Sequence, residues 1–209
     1  MKKYLFAIIA GVGMVATSWF VLNIDTRPIA IAAQAQPSAA VFNPDGTMQL
    51  PTGFRRWVFV GAPLTPNALN DGKANFPEYH HVYIEQKNVD AYLKTGEFPE
   101  GTVIVKELTR VLNPTFPDGS RKEPSGRGYF NGAYNGIDMS IKDSKRFEKT
   151  NGWGYYTFGH HPEPCEATAE KKSVAECAGC HLANVAKTDM TYVQFYPVLR
   201  AKGTGAKAK

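Results

Sequence analysis

Near its C-terminal end the chain reads Cys177-Ala178-Gly179-Cys180-His181. Two thiols separated by two residues stand one helical turn apart. That spacing reaches the two vinyl groups of one haem, and the histidine that follows then lies beneath the iron as its proximal ligand. Two other chemistries use a Cys-x-x-Cys pair. A thioredoxin-like redox pair sits after a strand in a βαβ unit, whereas this one closes a chain whose strands come first. A zinc site wants a second pair of ligands, and the only other cysteine is Cys165. The motif therefore reads as covalent attachment of a c-type haem, with Cys177 and Cys180 as thioether anchors and His181 as the iron ligand.

Lys106 is the second residue of interest. In the stretch 102–112 (TVIVKELTRVL) it shares a strand face with Ile104 and Leu108, so an ammonium group projects among apolar side chains. Such a lysine either snorkels or guards a sheet edge, or is a desolvated amine with a lowered pKa and nucleophilic character. Glu107 falls on the other face with Val105 and is not its partner. Cys165 reads as a free thiol or an intermolecular bridge; a Cys165–Cys177 bridge would remove one haem thioether. His80-His81 and His160-His161 are either solvated or candidates for a sixth iron ligand. Met190 follows His181 too closely to swing across the haem, and Met139, in phase with Ile137 and Ile141, belongs in the core. With no sixth ligand standing out, the pattern favours an open iron position, which binds small molecules rather than only shuttling electrons.

These residues need elements to hold them. Residues 54–61 (FRRWVFVG), rich in aromatic and β-branched types and bounded by Gly53 and Pro63, read as a strand, as do 81–85, 102–112 and 153–158. Ile137, Met139 and Ile141 alternate with polar residues, the period of a half-buried strand. A short helix is expected over 88–94, closed by Gly96, with Val89, Tyr92 and Leu93 on one face. Residues 113–128, broken by three prolines, read as a long loop. Helical spacing returns only after Glu166, through Val174, Cys177 and His181. Strands followed by a C-terminal helix predict an α+β fold on a largely antiparallel sheet with flanking helices, the last of them carrying the haem attachment.

Composition narrows the function classes. The 209 residues carry a formal charge of +5, which on its face suggests a nucleic-acid or membrane partner. The excess lies at the ends: residues 36–200 hold 18 basic and 18 acidic side chains, so nucleic acid is not expected as a partner. Lys2 and Lys3 precede an uncharged apolar run over 4–22, the pattern of an export signal. Cleavage is expected after Ala35, although the run is also long enough to remain as an anchor. The expected organisation is a signal peptide or anchor over 1–35, a linker over 36–50, a haem domain over 51–200 and a frayed tail over 201–209. Export places the protein in the periplasm, where c-type haem is attached.

Further segments carry a resemblance. Phe54-Arg55-Arg56-Trp57, then Phe98-Pro99-Glu100-Gly101-Thr102 running into Val103-Ile104-Val105-Lys106-Glu107, then Ile141-Lys142-Asp143-Ser144, Trp153-Gly154-Tyr155-Tyr156, the Cys177–His181 motif and Phe195-Tyr196-Pro197 follow in order. This series resembles the cytochrome P460 family, related to the β-sheet cytochromes c′. The resemblance implies one haem c in a largely antiparallel fold, a homodimer, and oxidation of hydroxylamine, with nitric oxide, to nitrogen oxides such as nitrous oxide. Electrons would pass to another cytochrome. It also implies that Lys106 matches the lysine cross-linked to the porphyrin edge in P460 proteins. The related β-sheet cytochromes c′ lack that bond and bind nitric oxide without turnover, so a carrier or scavenger is the alternative, as is a simple electron-transfer cytochrome. Hydroxylamine-oxidising members hold a carboxylate above the iron as general base. Its place falls in Asn131–Tyr134, where Ala133 is the likeliest match; the nearest acid is Asp138. Tyr192, Phe195 and Tyr196 are expected to wall the haem, and Arg55, Arg56 and Arg110 are candidates for its propionates.

Overall fold

The computed structural model describes residues 39–200. The expected leader, the first part of the linker and the tail lie outside the described residues. In chain order the strands are β1 (Met48–Gln49), β2 (Val58–Gly61), β3 (Tyr79–Ile84), β4 (Val103–Val111), β5 (Arg121–Glu123), β6 (Gly126–Gly128), β7 (Asn131–Lys142), β8 (Trp153–Thr157) and β9 (Thr168–Ala169). Helix α1 (Gln86–Thr95) lies between β3 and β4. A π-helical turn, Val174–Ala178, runs directly into α2 (Gly179–Val185).

Five strands form the main sheet in the order β2-β3-β4-β7-β8, every neighbouring pair antiparallel. The fold is α+β, as the strand-then-helix pattern predicts. The centre is β4, in which Val103, Ile104, Val105, Glu107 and Leu108 are all buried. Register fixes what each face carries. Lys106 lies opposite Val82 on one side and Asp138 on the other, and Ile104 opposite Ile84 and Ser140. Directly opposed residues share a face, so Val82, Ile104, Lys106, Asp138 and Ser140 look the same way. Tyr83, Val105 and Met139 look the other way.

Each face has its own core. On the Lys106 side, α1 and the C-terminal segment bury Val82, Ile84, Val89, Tyr92, Ile104, Trp153, Tyr155, Met190 and Leu199 against the sheet. On the reverse side Met48, Phe54, Val105, Ile137, Met139, Ile141, Phe147 and Phe158 pack together. Each fully buried side chain of this size contributes about 1.5–3 kcal/mol over an exposed one. Removing both faces from water explains why β4 reads as a near-continuous apolar run, interrupted by the residues that do chemistry.

Three expectations are corrected by local physics. The strand expected over 54–61 begins only at Val58. Gly53 sits at a φ of 71° and throws Phe54–Arg56 into a 3-10 turn that drives Phe54 into the reverse core. The loop expected over 113–128 contains the β5–β6 hairpin, organised by Asp118, whose Oδ1 accepts from the Ser120 amide and whose Oδ2 pairs with Arg127. Helix α1 extends past 88–94 at both ends and stops where predicted: Gly96 takes a φ of 81°, and its N–H donates to the Tyr92 carbonyl.

Strand β7 carries an irregularity that matters for the site. Its register against β4 shifts between Leu108 and Thr109, at a bulge where Gly136 adopts a φ of 122°. A Cβ at Gly136 would collide with the Gly159 carbonyl and stand 3.0 Å from the His160 Cα. The bare glycine thus lets the Gly159-His160 loop lie on β7 two residues from Asp138. Gly136→Ala is expected to destabilise the protein by at least ~2 kcal/mol through the combined collision and backbone strain. A lowered urea midpoint with an unchanged m-value checks this.

Candidate functional site

The C-terminal motif is set up by a capping box. The Ser173 hydroxyl accepts from the Glu176 amide at 3.4 Å, and the Glu176 carboxylate accepts from the Ser173 amide at 2.8 Å. The Ser173 hydroxyl also donates to that carboxylate at 2.7 Å, and this bond, with those from the Ser173 amide and Lys172, holds the Glu176 carboxyl down at about 2. From this start the chain makes one wide turn, in which the Gly179 N–H donates to the Val174 carbonyl. A side chain at 179 would press on that carbonyl at 3.0 Å, so the glycine between the two cysteines suits the turn. Cys177 is half-buried against the sheet-side core and Cys180 is exposed; both thiols are free.

His181 is held more firmly. Its Nδ1–H donates to the Met190 carbonyl at 2.6 Å, which fixes the tautomer and leaves Nε2 as the lone-pair nitrogen. Burial lowers the imidazole's pKa, favouring the neutral form that a metal requires. Tyr155 lies against the ring at 4.6 Å between centroids, and Tyr192 meets it edge-on at 5.1 Å.

The Met190 carbonyl points at His181 because Asp189 and Met190 both take left-handed backbone, with φ of 50° and 57°. Two consecutive non-glycine residues in that region cost about 1–3 kcal/mol each. The Asp189 carboxylate holds them there. Its Oδ1 accepts from Trp153 Nε1 at 2.9 Å, and its Oδ2 accepts from the Phe98 amide at 2.7 Å and from Lys142 Nζ at 2.8 Å.

The sheet supplies the rest of the wall. Lys106 Nζ lies 2.8 Å from Asp138 Oδ2 and 5.0 Å from the centre of the Phe76 ring. Asp138 Oδ1 meets His160 Nε2 at 2.8 Å. Burial pushes the Asp138 pKa up, but the Lys106 and His160 contacts outweigh it and hold the carboxyl below its usual range. The His80 imidazole is pushed down to about 3, first by burial and then by the Lys106 charge.

Phe76, His80, Lys106, Asp138 and His160 line one cavity of about 550 Å³ with the C-terminal motif. It brings together Lys106, Cys177, Cys180 and His181, the four residues singled out from the sequence. Tyr192, Phe195 and Tyr196 line it as expected. The cavity fits the group that the motif implies. It presents two thiols, a tautomer-fixed imidazole and predominantly apolar walls. Two buried polar atoms on those walls, His80 Nε2 and Tyr155 Oη, have no partner among the described residues.

Other expected residues lie elsewhere. Ala133 is exposed on β7 and does not line the cavity; the acids that do are Asp138, five residues further on, and Glu176 of the C-terminal segment. Arg55 pairs with Glu107 and Glu163, and Arg110 donates to Asn135; neither they nor Arg56 line the cavity. Cys165 is a free thiol, its sulfur 2.8 Å from the Tyr134 hydroxyl, packed against the reverse core. With Cys177 on the other face, the two do not bridge. His81 bonds to Thr109 and Asn131, and His161 to Glu166, while His80 and His160 line the cavity. Met190 contributes its backbone to His181, and Met139 packs in the reverse core. Ser173-x-x-Glu176 was a readable signal for the helix start. For Asp189 the sequence offers none, since its three donors come from positions 98, 142 and 153.

A family model described as Cytochrome P460 matches residues 51–193, the span that holds Lys106 and the Cys177–His181 motif. No curated protein matches the chain.

Removing the Asp189 carboxylate leaves Lys142 buried without its counter-charge and the Trp153 and Phe98 N–H groups without an acceptor. Asp189→Ala is expected to lower stability by ~3–5 kcal/mol, measured by denaturant unfolding of the haem-loaded protein. An equal loss in Lys142→Met would show that the pair, not the turn, dominates.

Proposed function

The chain belongs to the cytochrome P460 family and is a c-type haem cytochrome of that type; from this we propose that it oxidises hydroxylamine in the periplasm. In this reading Cys177 and Cys180 bind the haem through thioethers, His181 is the proximal iron ligand, and Lys106 is cross-linked to the porphyrin edge. Hydroxylamine and nitric oxide give nitrous oxide and water, releasing one proton and one electron. The electron passes to another cytochrome, and the working unit is a homodimer. The observation that carries the reading is that the Lys106 amine stands on the wall of the same cavity as the two thiols and the His181 imidazole.

The bound haem supplies a redox-active iron with a position for a small ligand. The chain does the rest. The Met190 carbonyl orients His181 and raises its basicity as a ligand. Tyr155, Tyr192 and Tyr196 exclude water from the apolar side of the cavity. Asp138 holds the Lys106 amine on the cavity wall at 2.8 Å, which fixes the position of the nitrogen before the cross-link forms. Cys180 is exposed, so the edge of the cavity it borders opens to the surface, the side from which an electron has the shortest path out.

Mass spectrometry of a tryptic digest tests the assignment. The peptide containing Lys106 is expected to travel with the Cys177–His181 haem peptide. A free Lys106 peptide would overturn the P460-type reading and favour a nitric oxide carrier. In the intact protein, hydroxylamine with nitric oxide and an artificial oxidant is expected to yield nitrous oxide, and Lys106→Met to abolish that yield while keeping the thioether-bound haem.

A further inference from the structure

Lys106, Asp138 and His160 form a line of contacts from the cavity to the surface. The lysine ammonium donates to Asp138 Oδ2, and Asp138 Oδ1 meets His160 Nε2, both at 2.8 Å. Exposure rises sharply along the last link: the Asp138 side chain is 18% exposed and that of His160 47%. The second ring nitrogen of His160, Nδ1, makes no hydrogen bond among the described residues and is left to water. The bare Cα of Gly136 fixes the approach of the Gly159-His160 loop to β7.

We propose that Asp138 and His160 are the proton port of the cavity, Asp138 passing protons between the interior and His160, and His160 exchanging them with solvent. The proposal rests on the hydroxylamine reading, which releases one proton with each electron inside a cavity walled mainly by apolar groups. A proton taken by Asp138 is handed from Oδ1 to His160 Nε2, and the Nδ1 proton leaves to water.

The pair faces several charged groups. They are Lys106 from β4, Glu78 just before β3 and Lys172 from the C-terminal segment; His80 of β3 and Cys177 also face the pair but are uncharged. The Asp138 bond raises the His160 pKa above its usual 6.5, which makes the ring a better acceptor for a proton handed on by Asp138. While Lys106 is an ammonium, Asp138 is held as an anion too weakly basic to carry protons. Once that nitrogen is bonded to the porphyrin and no longer an ammonium, burial opposes the charge on Asp138 with one less counter-cation. Its proton affinity then rises toward that of His160, and closer affinities make transfer easier.

Two measurements on the full-length haem-loaded protein test the port. Reducing the haem adds a negative charge to the cavity, so a proton-exchanging pair on its wall makes the midpoint potential depend on pH. Between about pH 5 and pH 9 the wild-type potential is expected to fall as pH rises, and His160→Gln and Asp138→Asn to lose most of that slope. His160→Gln, an exposed change that should not disturb folding, is also expected to lower kcat by roughly 10²-fold in dilute buffer with KM unchanged. Added phosphate should restore much of that rate. A slope that survives in His160→Gln, or a lost rate that buffer does not restore, would overturn the port. If the wild type oxidises no hydroxylamine, that reading falls, and the slope alone decides whether the port exists.

Discussion

A single buried carboxylate ties the two halves of the site together. Asp189 takes three donors from three separate places in the chain: an indole on β8, an ammonium on β7 and a backbone amide just after α1. Charge-assisted bonds are worth about twice neutral ones, and three of them on one side chain hold a backbone pair that would not choose its conformation alone. That conformation aims the Met190 carbonyl, and the carbonyl chooses which nitrogen of His181 bears the proton. A tautomer is therefore decided by a residue eight positions away, through the sheet rather than through the local helix.

The sheet itself divides labour by parity. Ile104 and Lys106 of β4 face the cavity and Val103 and Val105 the reverse core, so Lys106 and Glu107, adjacent in sequence, belong to different electrostatic circuits. Lys106 answers to Asp138, and Glu107 to Arg55. A slip of one residue would exchange an amine for a carboxylate on the cavity wall and bury the amine among Val105's neighbours. The apolar run on either side of Lys106 is what forbids that slip, since it would move a whole row of side chains to the wrong core.

Much of this was legible in the sequence. The Cys177–His181 motif stood out by its spacing alone, and the fold sets both thiols and the imidazole on one cavity. Alternation placed Lys106 among apolar neighbours and Met139 in the core, and five expected strands became the five of the main sheet. Asp138 was visible as the nearest acid, but its phase along β7 says nothing about which strand lies beside it; only the pairing with β4 sets it on the lysine. The resemblance pointed to Ala133 for the acid's place, in a stretch that the bulge at Gly136 carries to an exposed end of the strand. Asp189 was invisible because its meaning lies wholly in long-range donors. The strand expected at 54–61 lost its first half to a glycine that turns the chain, a local signal that the aromatic content overshadowed.

The opposite placement of Cys165 and Cys177 bears on how the molecule matures. In an unfolded chain twelve residues apart, these thiols meet readily, and oxidising surroundings would pair them and take one thiol of the Cys177–His181 motif. Once β8 and its neighbours close, the sheet stands between them as a partition, and the Tyr134 hydroxyl shelters Cys165 on its own side. In the folded protein the two thiols are thus kept apart by the sheet, Cys165 on the reverse core and Cys177 on the cavity side.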